Sequence, residues 1–279
     1  MFYENKGGFH LSNQTDEKEN GKRKYSVPAV DVSFRILTLL SRKKFSHSNL
    51  TEIANALTLQ PTTCFRVLQQ LREDAIVHYD KRTKQYSLGP YLVVLGERAK
   101  ENSLDIAIIL PYLEELSERT GLTSVLVNRI GNTRTTFVAK NEGEDFGLNV
   151  SVGRHFSIVD GAYGKCMLAY MGEEESNELL QEVQYTRSLS DNEMNRLKAD
   201  FPVIRDHGYA TNYGETINGV FGVAAPIFNI DDNVDMTINL FGMTAQYNED
   251  ELIPKGELLK ETAERISAKI KGQGNNLMV

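Results

Sequence analysis

Between Pro61 and Glu73 the side chains divide into two sets. Cys64, Val67, Leu68 and Leu71 recur at helical spacing; at about 100° per residue Thr62, Arg66 and Gln69 fall on the opposite side, with Thr63 and Phe65 on the flanks. The second set suits base edges in a major groove: arginine pairs with guanine, glutamine with adenine, and threonine or phenylalanine meets a thymine methyl. Glu73 at the far end repels phosphate, so the N-terminal half of this helix is expected to do the reading. Further on, Lys81, Arg82 and Lys84 cluster between two short alternating segments, where they can reach a sugar–phosphate backbone or the minor groove. A wetted polar face and a solvated turn would show the same residues, so the elements around them must decide.

A second group of candidates lies in Gly161-Ala162-Tyr163-Gly164-Lys165-Cys166. It is no phosphate loop: Val159 stands where the first glycine is required, and Cys166 follows the lysine where serine or threonine is required. A loop entering a helix still offers unpaired amides and the positive end of a dipole to an acceptor, unless Asp160 caps that helix itself. Cys166 with His155 or His207 could be imagined as a nucleophile and base, but nothing in the sequence brings them together, and no catalytic residue is assigned. Glu142, Glu144 and Asp145 read as a solvated acidic loop, and neither a metal set nor a cofactor motif is recognised. Cys64 sits on an apolar stripe and reads as packing.

The positioning elements follow from periodicity. Pro28 opens a helix to about Ser41, with Val30, Phe34, Leu37 and Leu40 as its expected core face. Leu50, Ile53, Ala54 and Leu57 mark a second helix, and Pro61 is a favoured first residue for the third. Ile76–Tyr79 and Gln85–Leu88 form a hairpin with a basic tip. Three helices and this hairpin make a winged helix-turn-helix. A connecting helix from Pro90 to about Asn102 leads to another over Leu104–Thr120, bent or restarted at Pro111 and stopped by Gly121. Leu122–Arg129 and Thr133–Ala139 flank a Gly131-Asn132 turn, and Val220–Phe228 pairs with Asp235–Phe241. Helices are expected at Ala162–Met171, Glu174–Val183, Asn192–Asp206 and Leu252–Ile270. The sum is an α+β fold with a largely antiparallel sheet.

Charge follows the same division. Residues 1–90 hold 14 Lys/Arg against 9 Asp/Glu, and residues 91–279 hold 17 against 29, within a net charge of −7. The expected organisation is a mobile arm (1–26, with Lys22-Arg23-Lys24), a DNA-binding domain (27–89), a linker helix (90–103), a second domain (104–271) and a tail (272–279). Two distant cysteines exclude a disulfide framework, and no apolar run spans a bilayer, so a reducing cytoplasm and no membrane partner are expected. An enzyme with an accessory helical module, or a protein-interaction module, would be the alternatives; turnover, or DNA affinity insensitive to salt, would mark them.

Ser33-Phe34-Arg35-Ile36-Leu37, Leu50-Thr51-Glu52-Ile53-Ala54, Thr62 to Leu68 and Tyr86-Ser87-Leu88-Gly89 resemble the N-terminal domain of the IclR family of bacterial transcription regulators. The likeness continues through Gly153, Ala162 to Ala169, Gly208-Tyr209-Ala210, Gly214-Glu215 and Gly219 to Ile227. The resemblance implies a GAF/PAS-like effector domain behind the linker helix. It further implies a homodimer or dimer of dimers on an operator in double-stranded DNA, responding to a small-molecule effector. Amides of the loop at Ala162 and Tyr163 would contact that effector. Where family members that bind small keto acids carry Asp, Cys and two Ser, this chain has Asn212, Gly222, Asn239 and Phe241. A neutral polar or aromatic effector is therefore expected to fit better than glyoxylate or pyruvate. Thr58 and Ala75 replace common family glycines, and a positive φ at Thr58 would strain the turn.

Overall fold

The structure, a computed structural model, describes residues 27–144, 150–187 and 189–277. The expected N-terminal arm and Asp145 of the acidic loop lie outside the described residues. The chain divides into two compact units, one ending at Gly96 and the other beginning at Glu97. The division falls inside the helix expected as a linker.

In the first unit, α1 (Pro28–Leu40), α2 (Leu50–Leu57) and α3 (Pro61–Glu73) precede the hairpin β1 (Val77–Asp80) and β2 (Gln85–Leu88). Its core is Val32, Ile36, Leu39 and Leu40 of α1 with Ile53, Ala54, Leu57, Cys64, Leu68, Val77 and Tyr86. Of the expected face of α1, Leu40 is buried and Leu37 packs against this core, whereas Phe34, 67% exposed, and Val30, also exposed, are corrected. The N-terminal part of the helix is apolar on two sides, and there the side at Val32 and Ile36 is the one buried in the core. An Asn49–Glu52 capping box starts α2, and Arg35 Nη2 donates to the Leu57 carbonyl at 2.6 Å, satisfying its last turn. Thr58 then takes φ 54°, ψ 45°, the left-handed cap that turns the chain toward α3.

The helix α4 (Tyr91–Asn102) follows, and the second unit continues through α5 (Leu104–Thr120), an unbroken helix that contains Pro111 and ends at Gly121. Its sheet is antiparallel throughout, built from β3 (Thr123–Ile130), β4 (Arg134–Asn141), β5 (His155–Ser157), β6 (Ala210–Tyr213), β7 (Val220–Ile227) and β8 (Met236–Met243). Their spatial order is β5-β4-β3-β8-β7-β6. The two edge strands, β5 and β6, were not expected from the sequence.

Alternation along the strands sends two apolar sets to opposite faces. Leu126, Val223, Ala225, Ile238 and Leu240 pack against α5 and α9 (Leu252–Leu277), where Leu259, Ala263, Ile266 and Ile270 form the buried stripe. Val125, Val127, Phe137, Ala224 and Phe241 face α6 (Gly161–Tyr170), which is backed by α7 (Glu173–Arg187) and α8 (Asp191–His207). Among the described residues no helix is long and apolar enough to cross a membrane.

Candidate functional site

On α3 the structure places Thr62, Thr63, Phe65 and Arg66 in solvent, while Cys64 and Leu68 are fully buried on the opposite side. Gln60 gives no side-chain cap, and the amides of Thr62 and Thr63 have no acceptor among the described residues. The start of α3 therefore carries unpaired N–H groups and a positive dipole end, which favours phosphate. Arg66 makes no ion pair among the described residues, so its guanidinium is available. Gln69 is half-buried, and its Oε1 accepts a long hydrogen bond from Arg72 at 3.4 Å, so it is less free than its position in sequence implies.

The hairpin tip is a tight turn in which Asp80 Oδ1 accepts from the amides of Arg82 (2.7 Å) and Thr83 (3.4 Å). The Arg82 amide holds the Asp80 carboxyl below its usual range. Lys81, Arg82 and Lys84 are exposed and meet no carboxylate among the described residues. Gly89 closes the hairpin against the backbone, where a Cβ would lie 2.1 Å from the Ala75 carbonyl oxygen.

The second unit contains a partly open cavity between the sheet and the start of α6. Ala162, Tyr163, Asn212, Gly222 and Phe241 lie on its wall. Asn239 does not: its Nδ2 donates to the carbonyls of Val125 (3.1 Å) and Thr237 (2.9 Å), and the side chain is fully buried. That assignment is corrected. Asn239 shares a strand face with Phe241, but the sheet's own backbone takes up its amide.

Phe137, Phe156, Tyr163 and Phe241 form one aromatic cluster, with centroids 4.8–6.3 Å apart. Such pairs add about 0.5–1.5 kcal/mol each beyond area burial. Gly222 has a definite task here, because a Cβ would lie 3.0 Å from Cε1 of Phe241. The small residue on β7 is the space that the ring on β8 occupies. Burial, with Asp160 nearby, pushes the Tyr163 phenol up, so it stays protonated.

The polar side of the cavity is assembled by residues that sequence reasoning missed. Arg154 lies on the wall, its guanidinium 4.9 Å from the Phe156 ring centroid and without a carboxylate partner among the described residues. Thr216 Oγ1 accepts from the Gly161 amide (3.0 Å) and from Asn212 Nδ2 (3.0 Å). Asn212 Nδ2 also reaches Glu215 Oε2 (3.3 Å), to which Lys165 Nζ donates at 2.6 Å, while the same ammonium reaches Asp200 Oδ2 at 3.1 Å. Burial opposes the Lys165 charge, but Glu215 and Asp200 outweigh it and raise its pKa. The sequence held two signals, since Arg154 follows Gly153 and Thr216 follows Gly214-Glu215.

Asp160 does not cap α6: its carboxylate accepts from the Ser157 amide (3.1 Å) and from Arg187 (2.6 Å). The amides of Ala162 and Tyr163 consequently have no acceptor among the described residues. The glycines of this motif answer to packing. A Cβ on Gly164 would lie 1.9 Å from the Ile158 carbonyl oxygen. Cys166 is fully buried, which raises its thiol pKa, the reverse of what a nucleophile requires, and no hydrogen bond joins it to His155 or His207. Cys64 is likewise pushed up to about 11 by burial. Among the described residues no three His, Cys, Asp or Glu side chains are grouped to hold a metal ion.

A winged helix-turn-helix joined to this cavity-bearing unit matches known proteins along most of its length. A family model described as "Bacterial transcriptional regulator IclR C-terminal" matches residues 101–268. The chain belongs to the IclR family. It is similar to the HTH-type transcriptional regulator XynR of Escherichia coli K12, 28% identical over 86% of this chain and 96% of that protein. It is also similar to KipR of Bacillus subtilis 168, 28% identical over 79% and 89%. An IclR transcriptional regulator from Alicyclobacillus acidocaldarius shares the fold with a TM-score of 0.78 at 37% identity, covering 88% of this chain and all of that one. The protein is thus an IclR-type transcription regulator.

Proposed function

We propose that α3 reads the operator through Thr62, Thr63, Phe65, Arg66 and Gln69, while Lys81, Arg82 and Lys84 hold the backbone. The observation that carries this reading is the unpaired Arg66 on the exposed side of a helix whose other side is sealed in the core. Ala162, Tyr163, Asn212, Gly222 and Phe241, on the cavity wall, form the effector site in this reading. Two copies of the chain, or two such pairs, present paired recognition helices to the halves of an operator, and effector binding changes operator affinity by favouring one arrangement of the paired α3 helices.

The test is titration of full-length Arg66→Ala against an operator recovered by genomic footprinting. Without its bidentate pairing to guanine, specific binding is expected to weaken by about tenfold to a hundredfold, with relaxed preference at one base pair. Unaltered base preference would remove α3 from the reading.

A further inference from the structure

We infer that the β6–β7 loop, residues 214–219, is a gate over the cavity, hinged at Gly214 and Gly219 and latched to α6 through Glu215 and Lys165. The inference rests on the cavity being the effector site and goes on to what opens it.

Among the described residues, every backbone hydrogen bond of residues 215–218 stays within the β6–β7 hairpin. The Val220 amide donates to the Ile217 carbonyl (3.0 Å), and the Thr216 amide reaches Asn212 Oδ1 at 3.5 Å. The ends are fixed: the Gly214 amide donates to the Val220 carbonyl (3.0 Å), and the Gly219 carbonyl accepts from the Thr244 amide (3.0 Å). Both glycines take positive φ, 74° and 82°, where a residue without Cβ turns at no steric cost. Between these ends Thr216 and Ile217 form part of the cavity wall. The tip is held to α6 by two hydrogen bonds: Thr216 Oγ1 accepts from the Gly161 amide (3.0 Å), and Glu215 Oε2 accepts from Lys165 Nζ (2.6 Å). Breaking these two frees the tip and leaves every strand pairing intact.

The two halves of the latch differ in exposure, which decides the one that moves. The Lys165 side chain is 13% exposed and that of Glu215 is 54% exposed. Lifting the tip returns the carboxylate to water, where it is well solvated, and leaves the ammonium where it is. A buried ammonium stranded without a partner would oppose that step. Asp200 of α8 removes most of the opposition, because its Oδ2 lies 3.1 Å from the same Nζ. Opening therefore exchanges two carboxylates for one instead of one for none. Lys165 is a positioning residue: held by α8 in both arrangements, it keeps a fixed cation at which Glu215 can re-engage. The Gly161 amide reports the movement, since its acceptor is carried on the tip and departs with it.

The experiment is hydrogen exchange on the full chain, resolved at single amides, with and without operator DNA. Lys165→Met and, separately, Glu215→Ala should speed exchange at Gly161 by about tenfold or more, with the amides of β7 and β8 unchanged. Glu215 lies in an exposed loop, so its variant decides the matter should Lys165→Met fail to fold. Asp200→Asn should act in the opposite sense and slow exchange at Gly161 by about twofold to fivefold, because opening then leaves the ammonium alone. A network that served only to hold the fold together would loosen in all three. Wild-type exchange at Gly161 in Glu215→Ala, or faster exchange there in Asp200→Asn, would overturn the inference. A ligand in the cavity can shift operator affinity only if the cavity differs between the free and the operator-bound arrangements. Exchange at Gly161, Ala162 and Tyr163 that is the same with and without operator would therefore sink the effector reading while leaving the gate in place. A change at these amides on adding operator, with no response to the latch variants, would do the reverse.

Discussion

Thr58 and Ala75 both hold φ at 54°, in the region that L-residues other than glycine enter only at a cost. At Thr58 the conformation is imposed from both sides: its own amide and that of Leu59 close α2 onto Asn55 and Ala54, and Pro61 must begin α3 three residues later. A left-handed β-branched residue costs about 1–2 kcal/mol, whereas glycine there adds about 0.4–1 kcal/mol of unfolded-state entropy. Thr58→Gly is therefore expected to stabilise the first unit by up to about 1 kcal/mol, seen as a higher denaturant midpoint at constant slope. A lower midpoint would mean that the threonine side chain makes a compensating interaction. The substitution was visible in the sequence as a departure from the family. Its sign of φ became visible only when the two helices it joins were placed.

At the scale of elements, legibility followed the strength of each pattern. Helices α2, α3 and α9 announce themselves because one face is apolar and the other is not. Helix α1 carries apolar residues on two faces, Val30 and Phe34 on one and Val32 and Ile36 on the other, so periodicity identifies a helix without identifying its buried side. Strands β5 and β6 have three and four residues and lie at the sheet edges, too short for alternation to emerge. Phe156 and Asn212, which they carry onto the cavity wall, could be placed only through resemblance or not at all. Arg154 and Thr216 stand in loops, where local sequence gives no period to read, and their meaning comes from the fold, as when Thr216 meets the amide of Gly161, 55 residues earlier. The wing differs from α3 in what it can contribute. Its three exposed cations can touch phosphate without distinguishing bases, so replacing Lys81, Arg82 or Lys84 by alanine should weaken specific and nonspecific binding alike. Each phosphate that is no longer neutralised should make the log–log salt slope shallower by about 0.9, with base preference unchanged. A change in sequence preference in any of these variants would place the wing among the base-reading elements.

For the whole molecule, the division of charge gives each unit a different relation to DNA. Residues 1–90 attract the duplex, while residues 91–279, with 17 Lys/Arg against 29 Asp/Glu, oppose its approach. Added salt screens both, so the slope for the full chain should be shallower than its phosphate contacts alone would give. What binds the two units into one regulator is thermodynamic. If a ligand in the cavity changes operator affinity by some factor, saturating operator must change ligand affinity by the same factor, because the four binding free energies close a cycle. Couplings of this kind are typically about fivefold to 150-fold. With an effector recovered by ligand screening on the operator, calorimetric titration of the free protein and of the protein–operator complex should therefore give dissociation constants in the same ratio as the operator constants measured with and without that effector. A ratio that differs between the two directions would mean that a change in oligomeric state enters the cycle, and repeating the titrations across protein concentration would then show it.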